Sequence, residues 1–204
     1  MSDNVIVLNV DDHATNSNNV IENNLVVINI SDYVTSNGDV IGENVVQSIL
    51  SIFSCYKNND VEMFLKNQAI EFTKKHQSVT YLAVNKNTDN VVGYFTLSIK
   101  PLRINIDAFS NTMKRKILRV SKLDEETGKY AFAAYLIAQL GKNFAVEESE
   151  LISGETLLQL AVNKIKEIQH LAGGMVYFLE AEDTPKLLAF YEKNGFKRFE
   201  PRLL

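Results

Sequence analysis

The sequence is poor in the residues that staple, kink or anchor a chain. It holds one cysteine, three prolines and no tryptophan. A lone thiol, Cys55, excludes an internal disulfide and fits a reducing compartment. With only three scattered histidines (His13, His76 and His170) beside it, no ligand set for a structural zinc is present, and no metal is expected. No apolar run approaches the ~18 residues of a membrane span, so no membrane partner is expected. The opening MSDNV lacks the basic stretch of a signal peptide. These absences together point to a cytoplasmic protein.

Positive charge is missing from the first quarter of the chain. No Lys or Arg precedes Lys57, while Asp3, Asp11, Asp12, Glu22, Asp32, Asp39 and Glu43 all fall there. The overall charge of −4 therefore divides into an acidic leader and a mildly basic remainder. Such a body tolerates phosphate ligands but is far from the dense basic face of a dedicated nucleic-acid binder.

What is present suits an ordinary folded domain with an appendage. The chain has 204 residues, 46% of them hydrophobic and 23% charged. The leader, residues 1–45, carries a tandem repeat: NVIVLNVDDHATNSNNVIEN (Asn4 to Asn23) aligns without gaps on NLVVINISDYVTSNGDVIGE (Asn24 to Glu43). Each copy reads as a β-branched strand followed by a polar turn. The plain reading is a strand pair, or an edge strand with a spare copy. The sharper reading is a dimerisation or partner-binding arm, which would make the chain a homodimer.

The remainder, residues 46–204, reads as one catalytic-sized domain. Val46, Ile49, Ile52 and Phe53 have helical spacing, and Asp60 is a plausible N-cap for a second helix. SVTYLAVNKNTDNVVGYFTLSIKPL reads as a β-hairpin turning at NKNTDN. DAFSNTMKRKILRVSKL is helix-like, with Phe109, Met113, Ile117 and Val120 on one face. KYAFAAYLIAQL reads as a strand buried on both faces. Ser153 is a fair N-cap for the next helix, with Leu157, Leu158, Ala161, Ile165 and Ile168 inward. MVYFLEAE is a strand, Thr184-Pro185 opens a short helix, Gly195 stops it, and FKRFE is a last strand. A hairpin leading into strand–helix–strand predicts an α+β fold: a mixed, mostly antiparallel sheet flanked by helices, with one parallel strand pair.

LLAFYEKNGFKRF (Leu187 to Phe199) resembles the C-terminal motif of the GNAT acetyltransferase superfamily. SGETLLQLAVNKI followed by VYFLEAE is similar to the loop–helix–strand block that holds acetyl-CoA there. The resemblance covers roughly residues 60–204. FSCYKNNDVEMFLK and YLIAQLGKNF also resemble a bacterial branch of undefined substrate.

The resemblance implies that the central parallel pair, Tyr130–Leu140 and Met175–Glu182, is splayed, with the pantetheine arm of acetyl-CoA pairing in the gap. It implies a backbone donor near Gln139 and Leu140 for the acyl oxygen, and Tyr191 as the proton donor to the leaving thiolate. Glu180 or Glu182, which share a strand face, could act as base, and Glu180 is the one put forward. A solvated strand end is an equal reading of both.

The superfamily's diphosphate loop carries an Arg or Gln and then two small residues. In LGKNFAVEESELISGETLLQLA those positions fall on Ser149, Ile152 and Gly154, so one mark of three is present. The expected diphosphate contacts are the N–H groups and hydroxyls of Ser153, Gly154, Glu155 and Thr156, with Lys142 at the rim and Glu147, Glu148 and Glu150 turned to solvent.

The implied activity is transfer of an acetyl group from acetyl-CoA to an amine by direct attack. The amine is a small molecule or a peptide, and an aminoacyl-tRNA is the less favoured acceptor. Its support is the basic run MKRKILRVSK, which also reads as a solvated helix face. The glycine-poor loop leaves a second reading open: a non-catalytic acyl-CoA-binding or regulatory module on the same fold.

Overall fold

A computed structural model describes residues 4–10, 24–34, 40–106 and 109–201. The polar turns that end both repeat copies, with His13, lie outside the described residues. The elements run β1 (Asn4–Val10), β2 (Leu25–Asn29), α1 (Ser31–Val34), α2 (Val40–Ser51), α3 (Asn59–Asn67), α4 (Ala69–Lys74), β3 (Val79–Asn85), β4 (Val91–Ile104), α5 (Asn111–Leu118), β5 (Lys122–Asp124), β6 (Lys129–Lys142), α6 (Gly154–Ala172), β7 (Val176–Glu182), α7 (Pro185–Lys193) and β8 (Lys197–Pro201). They fall into two compact units. Among the described residues, one comprises 4–10, 99–106, 109–137 and 165–201, and the other 24–34, 40–98 and 138–164. Among the described residues no helix is long and apolar enough to cross a membrane.

In the first unit, β6 and β7 pair in parallel at Tyr135↔Tyr177 and Leu136↔Phe178. β1 lies between β7 and β8, antiparallel to both, and is in register with β7 from Asn4↔Glu182 to Val10↔Val176. Its Val7 is fully buried. The strand of the first repeat copy is thus an interior one. β5 closes a short antiparallel hairpin onto the start of β6. Leu102, Ile104, Ile117, Phe132, Ala134, Val176 and Phe178 form this unit's core on one sheet face, with Phe109 and Met113 packed against it. Val120, expected on that helix face, is exposed because α5 ends at Leu118.

In the second unit, β2, β3 and β4 form an antiparallel meander. The second repeat copy therefore pairs with β3, from Leu25↔Asn85 to Asn29↔Tyr81. The core gathers Val46, Leu50, Phe53, Cys55, Leu65, Leu82 and Tyr94. The buried face of α2 runs through Val46 and Leu50 towards Phe53, and Ile49 and Ile52 are exposed instead. The N-cap of α3 is Asn58, whose Oδ1 accepts the Val61 N–H at 3.2 Å, and Asp60 falls inside the first turn. An amide oxygen two residues earlier satisfies the orphan donor, and Asp60 favours the helix start only through its charge.

Candidate active site

The residues singled out by sequence divide between the two units. Gln139, Leu140, Lys142, Ser153, Gly154, Glu155 and Thr156 belong to the second, Glu180 and Tyr191 to the first.

In the second unit, the last strand residues lead into a loop that is held at several points. Asn143 is 3% exposed. Its Oδ1 accepts the N–H groups of Ser54 and Ala145, each at 3.0 Å, and its Nδ2 donates to the Val91 carbonyl at 2.7 Å. The Asn143 N–H reaches the Val92 carbonyl, and the Phe144 N–H the Ser54 carbonyl. One buried amide therefore ties the β6 exit to β4 and to the α2–α3 loop. Buried polar groups are kept where they are hydrogen-bonded, and both polar atoms of the Asn143 amide have partners. It sits next to Lys142 in sequence, but its contacts make it a structural clamp.

Gly141 has a packing reason rather than a phosphate one. A β-carbon there would stand 2.5 Å from Tyr94 Cε1 and 2.6 Å from Val61 Cγ1. Glu150 is not turned to solvent as expected. Asn90 Nδ2 donates to its Oε2 at 2.8 Å and Asn85 Nδ2 to its Oε1 at 3.3 Å. The Thr88 hydroxyl and the Asn90 amide hold this carboxyl below the usual carboxylate range. The β3–β4 turn thus grips the loop at a 3-10 turn, Glu148–Glu150, while Glu147 and Glu148 are exposed. Ile152, on a position where the superfamily pattern has a small residue, is buried at 4% exposure. Its side chain joins the core.

The start of α6 is capped by Ser153, whose Oγ accepts the Thr156 N–H at 2.9 Å and lies 2.8 Å from the Thr156 hydroxyl. The Leu157 N–H closes on the Ser153 carbonyl. The Thr156 N–H is taken by the cap, because a serine at N-cap is the nearest acceptor for the N3 donor. The helix runs 19 residues to Ala172, so its N-terminus carries a full dipole.

In the first unit, the motif around Tyr191 is a helix stop. Asn194 ends α7, and Gly195 follows at φ 86°, a left-handed conformation that glycine adopts without a side-chain clash. The Phe196 N–H bonds the Tyr191 carbonyl and the Gly195 N–H the Glu192 carbonyl. These two bonds are the paired closure of a Schellman turn, in which the residue after the glycine also packs back on the helix. Phe196 does so: its ring lies 5.8 Å from that of Tyr191 and 5.5 Å from that of Tyr177. Tyr191 is 8% exposed, and burial pushes its phenol above the ordinary value. A phenol in that state stays protonated at neutral pH, so it carries a proton for a thiolate, while its raised pKa makes it a weaker acid than a free phenol.

Glu180 is half-buried on β7 and in register with Ile6. Alternation along β7 puts it on the face of Val176 and Phe178, which pack on the α5 core. Tyr177, on the opposite face, belongs to the aromatic group of Tyr191. Glu180 and Tyr191 therefore serve opposite faces of the same strand. His76 and His170 are exposed, and Cys55 is buried with its thiol pushed up by desolvation. Among the described residues no three His, Cys, Asp or Glu side chains gather as a metal site.

Sequence reading turned Glu150 to solvent and missed its grip by the hairpin turn, the clamp at Asn143 and the Gly141–Tyr94 contact. A buried asparagine after a strand resembles any loop asparagine until its partners, up to 89 residues away, are known.

No protein-family model matches the chain, and no curated protein does. Solved structures do. AtaT complexed with acetyl-methionyl-tRNAfMet shares 17% identity at a TM-score of 0.59, over 87% of this chain and 94% of that one. A tyrosine-to-phenylalanine mutant of the AtaT toxin, bound to the C-terminus of the antitoxin AtaR and acetyl-CoA, gives 17% and 0.52 over 87% and 92%. A tandem GNAT protein from the clavulanic acid pathway gives 14% and 0.53, over 98% of this chain and 51% of that one. At these identities the likeness defines the fold. The chain has the GNAT fold, a mixed α+β architecture with a largely antiparallel sheet flanked by helices.

Proposed function

We propose that the chain is an acyl-CoA-dependent N-acetyltransferase that moves an acetyl group from acetyl-CoA to an amine by direct attack. The observation that carries this is Tyr191: a buried, protonated phenol locked by a helix stop on the helix after the second parallel strand. The amine nitrogen attacks the thioester carbonyl, the C–S bond breaks, and the departing thiolate takes the phenolic proton. Backbone N–H groups at Gln139 and Leu140 are assigned to the acyl oxygen as its charge develops. The N-terminus of α6, with Ser153, Gly154, Glu155 and the Thr156 hydroxyl, is assigned to the diphosphate, and Lys142 adds positive charge. Glu180 is assigned the amine's proton. Base and acid on opposite strand faces suit a reaction in which the amine arrives on one side and the thiolate leaves on the other.

The acceptor is a small or peptide amine, or the amine of an aminoacyl-tRNA. The tRNA reading is favoured by the AtaT neighbour and by exposed Arg115, Arg119 and Lys122 on and after α5. The buried Ile152 favours a second reading, a cofactor-binding module without turnover. Calorimetric titration with acetyl-CoA followed by thiol release with an amine panel and aminoacyl-tRNA decides between them. The enzyme reading expects saturable binding and thiol release with at least one acceptor. No binding at millimolar acetyl-CoA would defeat both readings, and binding with no release across the panel would leave the second.

A further inference from the structure

One cluster in the second unit joins Lys142 to three residues that the acetyl-transfer reading leaves unused. Tyr56, in the α2–α3 loop, is 72% exposed, and its ring centroid lies 4.8 Å from that of Phe144. The Lys57 ammonium stands 4.8 Å from the Phe144 centroid and 5.8 Å from that of Tyr56. The Lys142 ammonium stands 5.6 Å from Phe144. Among the described residues neither lysine has a carboxylate partner.

Two features set this cluster apart from ordinary surface packing. First, a single cation satisfies the face of one ring, and a second near the same ring adds repulsion unless an anion joins them. Second, the cluster is built on a fixed base. The Asn143 clamp holds Ser54 and Ala145, the Cys55 N–H bonds Glu62 Oε2 at 2.6 Å, and the Asn58 N–H bonds the Cys55 carbonyl. A large aromatic ring held in water on such a base is pre-organised to stack. An apolar ligand would leave both ammoniums unpaired, and a simple anion would leave the Tyr56 ring unused. A planar ring that carries a phosphate uses both.

We infer that Tyr56, Phe144, Lys57 and Lys142 form a nucleotide platform, with a nucleobase stacked on Tyr56 and its phosphate between the two ammoniums. Base stacking on aromatics flanked by cations is how single-stranded nucleotides are held without sequence reading. The inference deepens the acetyltransferase reading and rests on it only for the ligand's source. That source is either the adenosine bisphosphate end of acetyl-CoA or an unpaired nucleotide of a nucleic-acid acceptor.

The test titrates the full chain with adenosine 3′,5′-bisphosphate and, separately, with a labelled single-stranded RNA tetramer ending in adenosine. Wild type is compared with Tyr56→Leu and with Lys57→Gln/Lys142→Gln, each checked for fold by circular dichroism. At least one ligand is expected to bind and to lose about tenfold in affinity with Tyr56→Leu, the lower range for a lost stack. The lysine pair should flatten that ligand's salt dependence. The ligand that responds identifies the source. Affinities unchanged in Tyr56→Leu would overturn the platform, as would no binding of either ligand by wild type. Inorganic phosphate competing as well as the nucleotide would also overturn it, since that describes an anion site with no base. Thiol release by wild type is measured in parallel. Turnover without any Tyr56 effect sinks the platform alone, and nucleotide binding without turnover sinks the enzyme reading alone.

Discussion

Gly141 and Tyr94 meet so closely that no methyl group fits between them: a β-carbon on Gly141 would lie 2.5 Å from Tyr94 Cε1. Tyr94 cannot yield. Its ring is fully buried, it stacks edge-on against Phe53 at 5.3 Å, and its hydroxyl donates to the Val61 carbonyl at 2.6 Å. Burial holds that phenol protonated far above the ordinary range. Gly141→Ala must therefore push Tyr94 or Val61 aside. Overpacking of this kind costs ~1–3 kcal/mol, and the bond to Val61 raises the outcome to the upper end. Chemical denaturation should show a lower midpoint with an unchanged slope. A variant as stable as wild type would mean that strand β6 shifts freely at this point.

The same strand end depends on Asn143. Removing its side chain leaves the Ser54 and Ala145 N–H groups and the Val91 carbonyl without their partner. An unsatisfied buried group costs ~1–3 kcal/mol, so Asn143→Ala is expected to lose about 3 kcal/mol. Asn143→Asp keeps both acceptor bonds but sets a carboxylate against the Val91 carbonyl, so it should not rescue. Hydrogen exchange at the Ser54 and Ala145 amides is the direct check. Both should exchange faster in the alanine variant while amides of α7 do not change.

These contacts mark the limit of what the sequence discloses. Helices α6 and α7 and strands β3, β6 and β7 are legible because local periodicity encodes which face is apolar. The motif around Tyr191 is legible for a local reason too: Asn194, Gly195 and Phe196 complete a helix stop within a few residues. Partner choice is not local. Nothing in NVIVLNV tells that it pairs with VYFLEAE and with β8, because strand pattern fixes a face and not a neighbour. The two repeat copies make the point within one chain. Similar strands, β1 and β2, go to different units. In the candidate site, Ser153 as a cap was visible, whereas the burial of Ile152 and the grip of the hairpin turn on Glu150 depend on tertiary contacts.

Glu150 makes that grip titratable. Its partners lower its pKa, so the carboxylate form is favoured in the folded chain. The sign follows from linkage: its contribution is present above the unfolded carboxylate pKa of ~4.3 and is lost as pH falls through the lower folded value. Wild type should thus be more stable than Glu150→Ala at pH 7, and the gap should narrow as the pH falls below the unfolded carboxylate pKa. Thermal unfolding of both proteins across that range checks it. A gap that persists at low pH would assign Glu150 a packing role instead. Because the turn also positions the approach to α6, Glu150→Ala is expected to weaken acetyl-CoA binding more than it slows turnover at saturation.

Tyr191 separates chemistry from binding most directly. Tyr191→Phe removes only the hydroxyl and keeps the ring contacts with Phe190 and Phe196, so the fold and the helix stop persist. If the phenol protonates the leaving thiolate, kcat falls by about 10²–10⁴, the range for a lost general acid, while the Kd for acetyl-CoA stays within about twofold. The pH profile adds a second criterion. Burial raises the phenol's pKa, so loss of the acid should appear only above the ordinary tyrosine value of ~10. Wild-type kcat should therefore hold between pH 8 and 10. An unchanged kcat in the phenylalanine variant would return Tyr191 to a purely packing role and leave the thiolate to take its proton from water.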